Sequence, residues 1–227
     1  MENEAAEAIR TGDVAALKLY LLQNPEAVRA RVDGQRTLLH VATDWPGHFP
    51  NVRQTIMALA HSGADLNAPF HGNHSETPLH WAASTDDVDA LGALLDLGAD
   101  IESPGSVIDG GAPLSGAVAF GCWRAARMLI ERGAHSTIWQ SAALGLMDRL
   151  HEHFAGDKPS EGDVTNAFWN ACKGGQLQAA RYLLTQGANL NWVGHSQQTP
   201  LDAAVRQGHE EVIAWLRAEG AASHKGL

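Results

Sequence analysis

The sequence predicts a mostly α-helical solenoid in which helix-turn-helix units stack side by side and hairpin-like finger loops project from one edge. The motif TPLHWAA at residues 77–83 recurs in weaker forms along the chain. A Gly-Ala pair follows each predicted second helix, at Gly63, Gly98, Gly133, Gly187 and Gly220. The intervals between these glycines are 35, 35, 54 and 33 residues, and three of them match the period of about 33 residues known for helical repeats. Because one such unit cannot bury its apolar stripe alone, neighbouring units must stack.

The start and the end of each unit have a physical explanation. Proline suits the first turn of a helix, where its missing N–H would be unpaired anyway, and the threonine before it caps that turn. Paired alanines allow two helices to approach closely, and glycine can adopt the left-handed conformation that ends the second helix. The first helices are therefore expected to begin near Glu4, Thr37, Thr77, Ala112, Ile138, Asn166 and Thr199.

The long interval of 54 residues predicts a degenerate unit without a Gly-Ala ending. Residues 139–145 fit its first helix, and Met147, Leu150 and Phe154 follow at helical spacing. We expect one domain spanning residues 1–227, with caps at both ends. Its seven units cover residues 3–32, 33–66, 67–101, 102–135, 136–162, 163–190 and 191–222, and residues 223–227 form a tail.

The histidine of the TPLH motif varies from unit to unit. His40 and His80 keep it, and Ser115 and Asp202 replace it in units four and seven. The alignment places Trp139 and Trp169 at this position in units five and six. Histidine at this position is expected to hydrogen-bond to the next unit, so the tryptophans are expected to replace polar bonding with packed area.

Composition excludes several classes of protein. The formal net charge is −10 and there is no basic stripe, so we expect no nucleic-acid partner. No apolar run approaches the roughly 20 residues needed to span a bilayer, so we expect no membrane insertion. The start at residues 1–4 is acidic and lacks the features of a signal peptide, which predicts a cytoplasmic protein. Cys122 and Cys172, about two units apart, are expected to stay reduced.

The TPLHWAA motif and the stretch LLDLGAD at residues 94–100 resemble the ankyrin-repeat family. The resemblance extends from about Glu4 to Ala221, and it is most specific in units three and seven. Residues 39–50 and 167–172 also resemble a group of bacterial ankyrin-repeat proteins without an assigned activity. The resemblance implies a non-catalytic scaffold that binds an unknown protein or peptide. The polar stretch at residues 156–163 and the missing finger of unit five interrupt the row of fingers.

The partner is expected to bind the concave groove and the fingers of units two to four. Unit two carries an insertion at residues 44–51, and the fingers of units three and four are longer than that of unit seven. Neutral loop variation is the alternative explanation, and Trp45 would then only cover the insertion. Self-association through the same groove is a further alternative to the monomer that we expect. The candidate partner-binding residues are Asp44, Trp45, His48, Phe70, His74, Glu76, Ser84, Thr85, Ala119 and Phe120.

A small-ligand or metal site is the alternative function. It would be built on the insertion Asp44–Pro50 and the neighbouring finger, with His48, His71 and His74 as metal ligands. The alternative there is a catalytic dyad of Asp44 with His48 or His74. No cysteine-histidine cluster has zinc-site spacing, and no segment matches a known catalytic motif. We therefore expect no enzyme activity, no metal and no cofactor.

Overall fold

The computed structural model describes residues 4–226, which form fourteen α-helices and no strand. The chain divides into two compact subdomains, an N-terminal one at Met1–His135 and a C-terminal one at Ser136–Leu227. This division coincides with the predicted boundary between units four and five. Asn3, the predicted start of unit one, and Leu227, the end of the predicted tail, lie outside the described residues.

The N-terminal subdomain contains units one to four as two rows of helices. The first helices α1, α3, α5 and α7 pack against one another in sequence, and the second helices α2, α4, α6 and α8 form the other row. A 3₁₀ turn at Pro25–Val28 follows α2. The helices are α1 (Glu4–Thr11), α2 (Val14–Gln23), α3 (Leu38–Thr43), α4 (Val52–His61), α5 (Pro78–Ser84), α6 (Val88–Asp96), α7 (Pro113–Phe120) and α8 (Trp123–Glu131).

The C-terminal subdomain contains units five to seven around a core that includes the fully buried Phe168. Its first helices α9, α11 and α13 pack side by side. Two 3₁₀ turns lie at His195–Gln197 and His224–Gly226. The helices are α9 (Ile138–Leu144), α10 (Met147–Ala155), α11 (Glu161–Lys173), α12 (Leu177–Thr185), α13 (Pro200–Gln207) and α14 (Glu210–Ala218). Within residues 4–226, every helix is too short or too polar to span a bilayer.

Six of the seven predicted helix starts are confirmed. Thr37, Thr77 and Thr199 are N-cap residues, and in each case the third helical residue also bonds back to the cap. The start near Asn166 is wrong, because α11 begins five residues earlier, at Glu161. The Ser160 hydroxyl accepts a hydrogen bond from the Asp163 N–H at 3.1 Å, and Val164 is buried. This cap and this burial turn part of the predicted polar loop into helix.

The predicted glycine endings are also confirmed. Gly63, Gly98, Gly133, Gly187 and Gly220 all have φ between 85° and 97°. At Gly98 the following N–H of Ala99 donates to the Leu94 carbonyl at 3.0 Å, which closes the last turn of α6.

The finger loops contain hairpin-like hydrogen bonds, such as that from the Gly105 N–H to the Gly110 carbonyl at 2.9 Å.

One type of hydrogen bond crosses between successive units. His40 Nε2 lies 3.0 Å from the Glu76 carbonyl oxygen, and His80 Nε2 lies 3.2 Å from that of Gly111. Each carbonyl belongs to the residue just before the N-cap of the next first helix. The Thr37 N–H donates to His40 Nδ1 at 3.3 Å, so the other ring nitrogen carries the proton and donates across the interface. The motif histidine therefore caps its own helix and holds the next one.

The tryptophan predictions need two corrections. The Trp169 indole N–H donates to the Gln198 carbonyl at 2.9 Å, and Gln198 immediately precedes the N-cap Thr199. Trp169 thus keeps the polar bond that it was expected to replace, because its ring is long enough to reach the same carbonyl. The alignment of Trp139 with the motif histidine is wrong. Gln140 is the third helical residue of α9, and its side-chain oxygen accepts from the Thr137 N–H at 2.8 Å.

Replacing Trp169 with Phe tests the crossing hydrogen bond. The change removes one of two donors to the half-buried Gln198 carbonyl, which keeps the Gly194 N–H, so the free energy of unfolding should fall by about 0.5–1.5 kcal/mol beyond the effect of ring size. Trp215→Phe is the matched control, because it removes similar ring area and a hydrogen bond to Glu219 at an exposed position. Urea unfolding followed by circular dichroism measures both variants. Equal losses in the two would contradict the role of Trp169.

The buried histidine His40 should make stability fall on acidification. Burial lowers its pKa from 6.5 to about 4. Between these values the unfolded chain binds a proton that the folded chain does not, so the contribution is complete above pH 6.5 and is lost as the pH falls towards 4. The expected loss from His40 at pH 5 is on the order of 2 kcal/mol.

The matched variant for this test is His40→Gln, because Gln140 fills the equivalent position of unit five and cannot titrate. Urea unfolding at pH 7 and pH 5 should show a smaller difference between the two pH values in the variant than in the native protein. If the two proteins lose the same stability between these pH values, another group is responsible.

Candidate functional site

The candidate residues lie in the N-terminal subdomain, and three of them share one register position. Trp45, Thr85 and Phe120 each stand eight residues after the N-cap of their unit's first helix, at Thr37, Thr77 and Ala112. Trp45 is 81% exposed and Phe120 is 55% exposed. Thr85 between them is half-buried, and its hydroxyl donates to the Trp81 carbonyl at 3.0 Å. Two large exposed rings therefore flank a short side chain, as predicted.

The floor between these rings is tightly packed. A Cβ atom added at Gly116 would lie 2.6 Å from Ser84 Oγ, so α5 and α7 approach too closely there for a side chain. Ser84 Oγ is buried, and no described residue gives it a hydrogen bond. Ala119 is half-buried beside Phe120. Ser84 and Ala119 are thus short, half-buried side chains at this level.

The insertion at residues 44–51, which we call the strap, is fastened to unit three. The His48 N–H donates to Asp87 Oδ2 at 2.6 Å, and His48 Nε2 lies 3.2 Å from the Thr85 carbonyl oxygen. Gly47 has φ of 75°, and a Cβ atom there would lie 2.9 Å from Thr85 Oγ1. The Asp87 side chain is fully buried and also caps α6 by accepting from the Ala90 N–H at 3.0 Å.

The other end of the strap is fastened to unit one. The Asn51 side-chain amide donates to the Gly12 carbonyl at 3.0 Å. A Cβ atom added at Gly12 would collide with the Pro50 carbonyl oxygen. The strap therefore bridges the turns of units one and three, and it holds Trp45 between two fixed ends.

Asp44 fixes the beginning of the strap. Its carboxylate forms an ion pair with Arg36, and its Oδ1 accepts from the Trp45 N–H at 2.9 Å. Arg36 also pairs with Asp33 at 2.8 Å, and hydrogen bonds from the Arg36 backbone and side chain lower the pKa of Asp33 to about 2. Among the described contacts, Asp44 pairs with arginine and with neither histidine of the hypothetical dyad.

The finger of unit three holds an aromatic cluster. The rings of Phe70 and His74 stack at 4.5 Å, and Phe70 lies 5.6 Å from Trp81. The Phe70 N–H donates to the Glu76 carbonyl at 2.8 Å and closes the finger. Phe70 and His74 are half-buried, so each presents only part of its ring to a partner.

Glu76 has a structural role that the sequence did not indicate. It is 6% exposed, and its Oε1 accepts from the Val107 N–H at 3.0 Å in the finger of unit four. Its Oε2 lies 3.5 Å from His74 Nδ1. The Glu76 carboxylate therefore links the finger of unit three to that of unit four, and it is buried.

The residues proposed for a metal site have separate contacts. His48 lies against Thr85 and Asp87, whereas His74 lies on Phe70 and Glu76. The backbone of His71 donates to the Gln35 carbonyl at 3.2 Å. Across residues 4–226, no three histidine, cysteine or carboxylate side chains are grouped so that they could hold a metal ion.

Sequence reasoning missed the residues that fasten the strap. Asp87 and Asn51 have partners 39 residues away in the chain, so no local pattern reveals these contacts. A signal for Asp87 does exist, because Asp13 occupies the same N-cap position in unit one and accepts from the Ala16 N–H. Alignment of the units thus predicts the cap, although it does not predict the bond to the strap.

The comparisons with known proteins agree with this architecture. A family model described as ankyrin repeats in three copies matches residues 138–225, and a model of a single ankyrin repeat matches residues 74–106. Together these segments cover just over half of the chain. The crystal structure of the human ASB11 ankyrin repeat domain aligns with 94% of this chain and 97% of that chain, with a TM-score of 0.56. The identity is 19%, so this likeness shows the fold alone.

Two curated relatives are similar to a short part of the chain. An ankyrin repeat and KH domain-containing protein of Caenorhabditis briggsae is 39% identical over 51 residues, and the mask-1 protein of the same description from Caenorhabditis elegans is 38% identical over 50 residues. Each match covers 22% of this chain and 2% of the relative. The chain therefore matches only a small fraction of these long nematode proteins, and the bacterial resemblance stays a prediction.

Replacing Asp87 with Ala tests the attachment of the strap. The change removes an N-cap of α6 and the acceptor of the His48 N–H, so we expect a loss of about 2–3 kcal/mol in the free energy of unfolding. Asp13→Ala is the matched control, because Asp13 caps α2 in the same way without a bond to the strap, and it should lose about 1 kcal/mol. Urea unfolding measures both. A strap that contributes nothing would give equal losses.

Proposed function

Because the chain belongs to the ankyrin-repeat family, whose repeats are generally protein-protein interaction modules, we propose that it is a non-catalytic scaffold. It binds a protein or peptide through the concave groove and the finger loops of units two to four. The proposal places the protein in the cytoplasm, where Cys122 and Cys172 would stay reduced, as neither forms a disulfide. Ankyrin-repeat proteins bind many unrelated partners with the same fold, so only the residues of a particular face can indicate that a partner binds there.

The observation that supports the proposal is the presentation of Trp45. An indole that is 81% exposed leaves a large apolar surface in water. The strap that holds it is bonded at both ends, to Gly12 through Asn51 and to Asp87 through His48. A side chain on a fixed platform loses less conformational entropy on binding than one on a free loop. Buried tryptophans at interfaces are among the residues that contribute most to affinity.

Phe120 adds a second anchor at the same register. Stacked helices lie about 8–10 Å apart, so two rings separated by one unit lie about 20 Å apart. The half-buried residues at this level between them have short side chains, including Ser84, Thr85 and Ala119. This geometry suits a partner that lies across three units and inserts a side chain beside each ring.

The variant Trp45→Ala/Phe120→Ala tests the proposal in a capture experiment from lysate of the source organism. Loss of two anchors should reduce a specifically captured protein at least tenfold by quantitative mass spectrometry. Leu19→Ala/Leu22→Ala is the matched control, because it removes two exposed apolar side chains from α2, in the row of second helices. It should capture the same protein as the native chain.

Both variants are first checked by thermal unfolding, so that a folding defect is not read as lost binding. A protein that both variants capture as well as the native chain does would exclude the groove of units two to four as its binding site. A protein lost equally with both variants would point to a general loss of integrity and would also count against the proposal.

A further inference from the structure

The floor of the proposed groove is free of charged side chains. Helices α3, α5 and α7 read LLHVAT, PLHWAAS and PLSGAVAF, without a single lysine, arginine, aspartate or glutamate. Their two histidines, His40 and His80, are buried, and burial lowers the pKa of each below its ordinary value. Both rings are therefore neutral at pH 7, and the charge that a partner meets on this face comes from the edges.

Carboxylates occupy both edges: Asp87 and Glu76 are buried and held mainly by backbone N–H groups, whereas Asp86 is half-buried and Asp109 is exposed. At the turn edge, Asp86 accepts from the Ala125 N–H at 2.8 Å, and Asp87 accepts from the N–H groups of His48 and Ala90. At the finger edge, Glu76 accepts from the Val107 N–H, and Asp109 is exposed at the tip of the finger of unit four. Hydrogen bonds from neutral donors stabilise a carboxylate but leave its negative charge in place.

The basic residues of this region do not balance that charge. Between residues 37 and 123 the sequence contains one arginine and no lysine. That arginine, Arg53, lies on α4 in the row of second helices and pairs with Asp96. Arg31 donates to the neutral carbonyls of Gln35 and Pro69, so its positive charge remains beside the finger of unit three and offsets only one of these carboxylates.

The ion pairs at the start of the strap leave a net negative charge as well. Arg36 is shared between Asp33 and Asp44, so two carboxylates meet one guanidinium. Seventeen of the 26 acidic residues of the chain, against nine of its 16 basic residues, fall within the N-terminal subdomain. The groove is thus an apolar floor between negative edges.

We propose that the partner segment is basic: a peptide stretch with large apolar side chains for Trp45 and Phe120, flanked by lysine or arginine that faces the accessible carboxylates Asp86 and Asp109 at the edges. This inference rests on the proposed function and specifies the partner's chemistry. A gap of about 20 Å corresponds to about six extended residues, so a segment of this length reaches both rings. The rim charges select against acidic segments and speed association with basic ones.

The test selects a random library of twelve-residue peptides displayed on phage against the full chain. The expected result is enrichment of peptides that carry excess lysine or arginine and at least one large apolar residue. Their binding, measured by fluorescence polarisation, should be lost in Trp45→Ala/Phe120→Ala and kept in Leu19→Ala/Leu22→Ala. Affinity should fall severalfold between 50 and 500 mM NaCl, because salt screens exposed charges.

A single-charge comparison separates the rim from the overall charge of the protein. Asp109→Asn removes one exposed carboxylate from the finger edge and should weaken the enriched peptides by about twofold to fivefold. Glu131→Gln removes one exposed carboxylate at the end of α8 and should leave the affinity unchanged. Equal weakening in the two variants would overturn the placement of the basic residues at this rim.

The remaining outcomes separate this inference from the function on which it rests. Enriched peptides that are neutral or acidic, yet still need Trp45 and Phe120, would overturn the basic partner and leave the binding face in place. Enrichment that is independent of both rings, or no enrichment at all, would overturn the inference. The capture experiment with the same double variant then decides the proposed function separately.

Discussion

The stacking of the units depends on a hydrogen bond that leaves one repeat unit and ends on the backbone of the next. His40, His80 and Trp169 all direct a ring N–H to the carbonyl just before the following helix. This acceptor is at the one place where the chain turns from a finger into a helix, so the bond fixes both elements at once. Each of these carbonyls also accepts from a finger N–H, of Phe70, Ser106 or Gly194, so the crossing bond is a second one and contributes about 1 kcal/mol to a specific register of stacking.

The strap shows how this regular scaffold acquires an individual surface. The His48 backbone N–H bonds to the Asp87 carboxylate and the Asn51 side-chain amide bonds to the Gly12 carbonyl. The strap has eight residues where the corresponding turn of unit three, residues 85–87, has three. Asp44 pairs with Arg36 and His48 bonds to the Thr85 carbonyl, so the chain on either side of Trp45 is held against the protein while the indole stays exposed. The exposed ring is therefore a property of the anchoring on both sides of it.

The sequence predicted the parts of the fold that local chemistry decides. A threonine before proline caps a helix, and a glycine with positive φ ends one, wherever they occur, so Thr77, Thr199 and Gly98 identified their units correctly. The early start of α11 was missed because the burial of Val164 is decided by packing. The repeat register identified the positions of Trp45 and Phe120, and both rings are exposed, whereas Thr85 at the same register is half-buried. The burial of Glu76 could not be predicted, because its carboxylate bonds to Val107 in the finger of unit four, 31 residues away in the sequence.

Glu76 also bonds in two directions along the stack. Its carbonyl accepts from His40 in unit two, and its carboxylate accepts from Val107 in unit four. Unit three further supplies Thr85 and Asp87 to the strap of unit two. Repeat proteins are commonly treated as interchangeable modules for engineering, with consensus units inserted or exchanged at will. In this chain unit three is not such a module, because an exchanged copy would have to reproduce side chains that serve both of its neighbours.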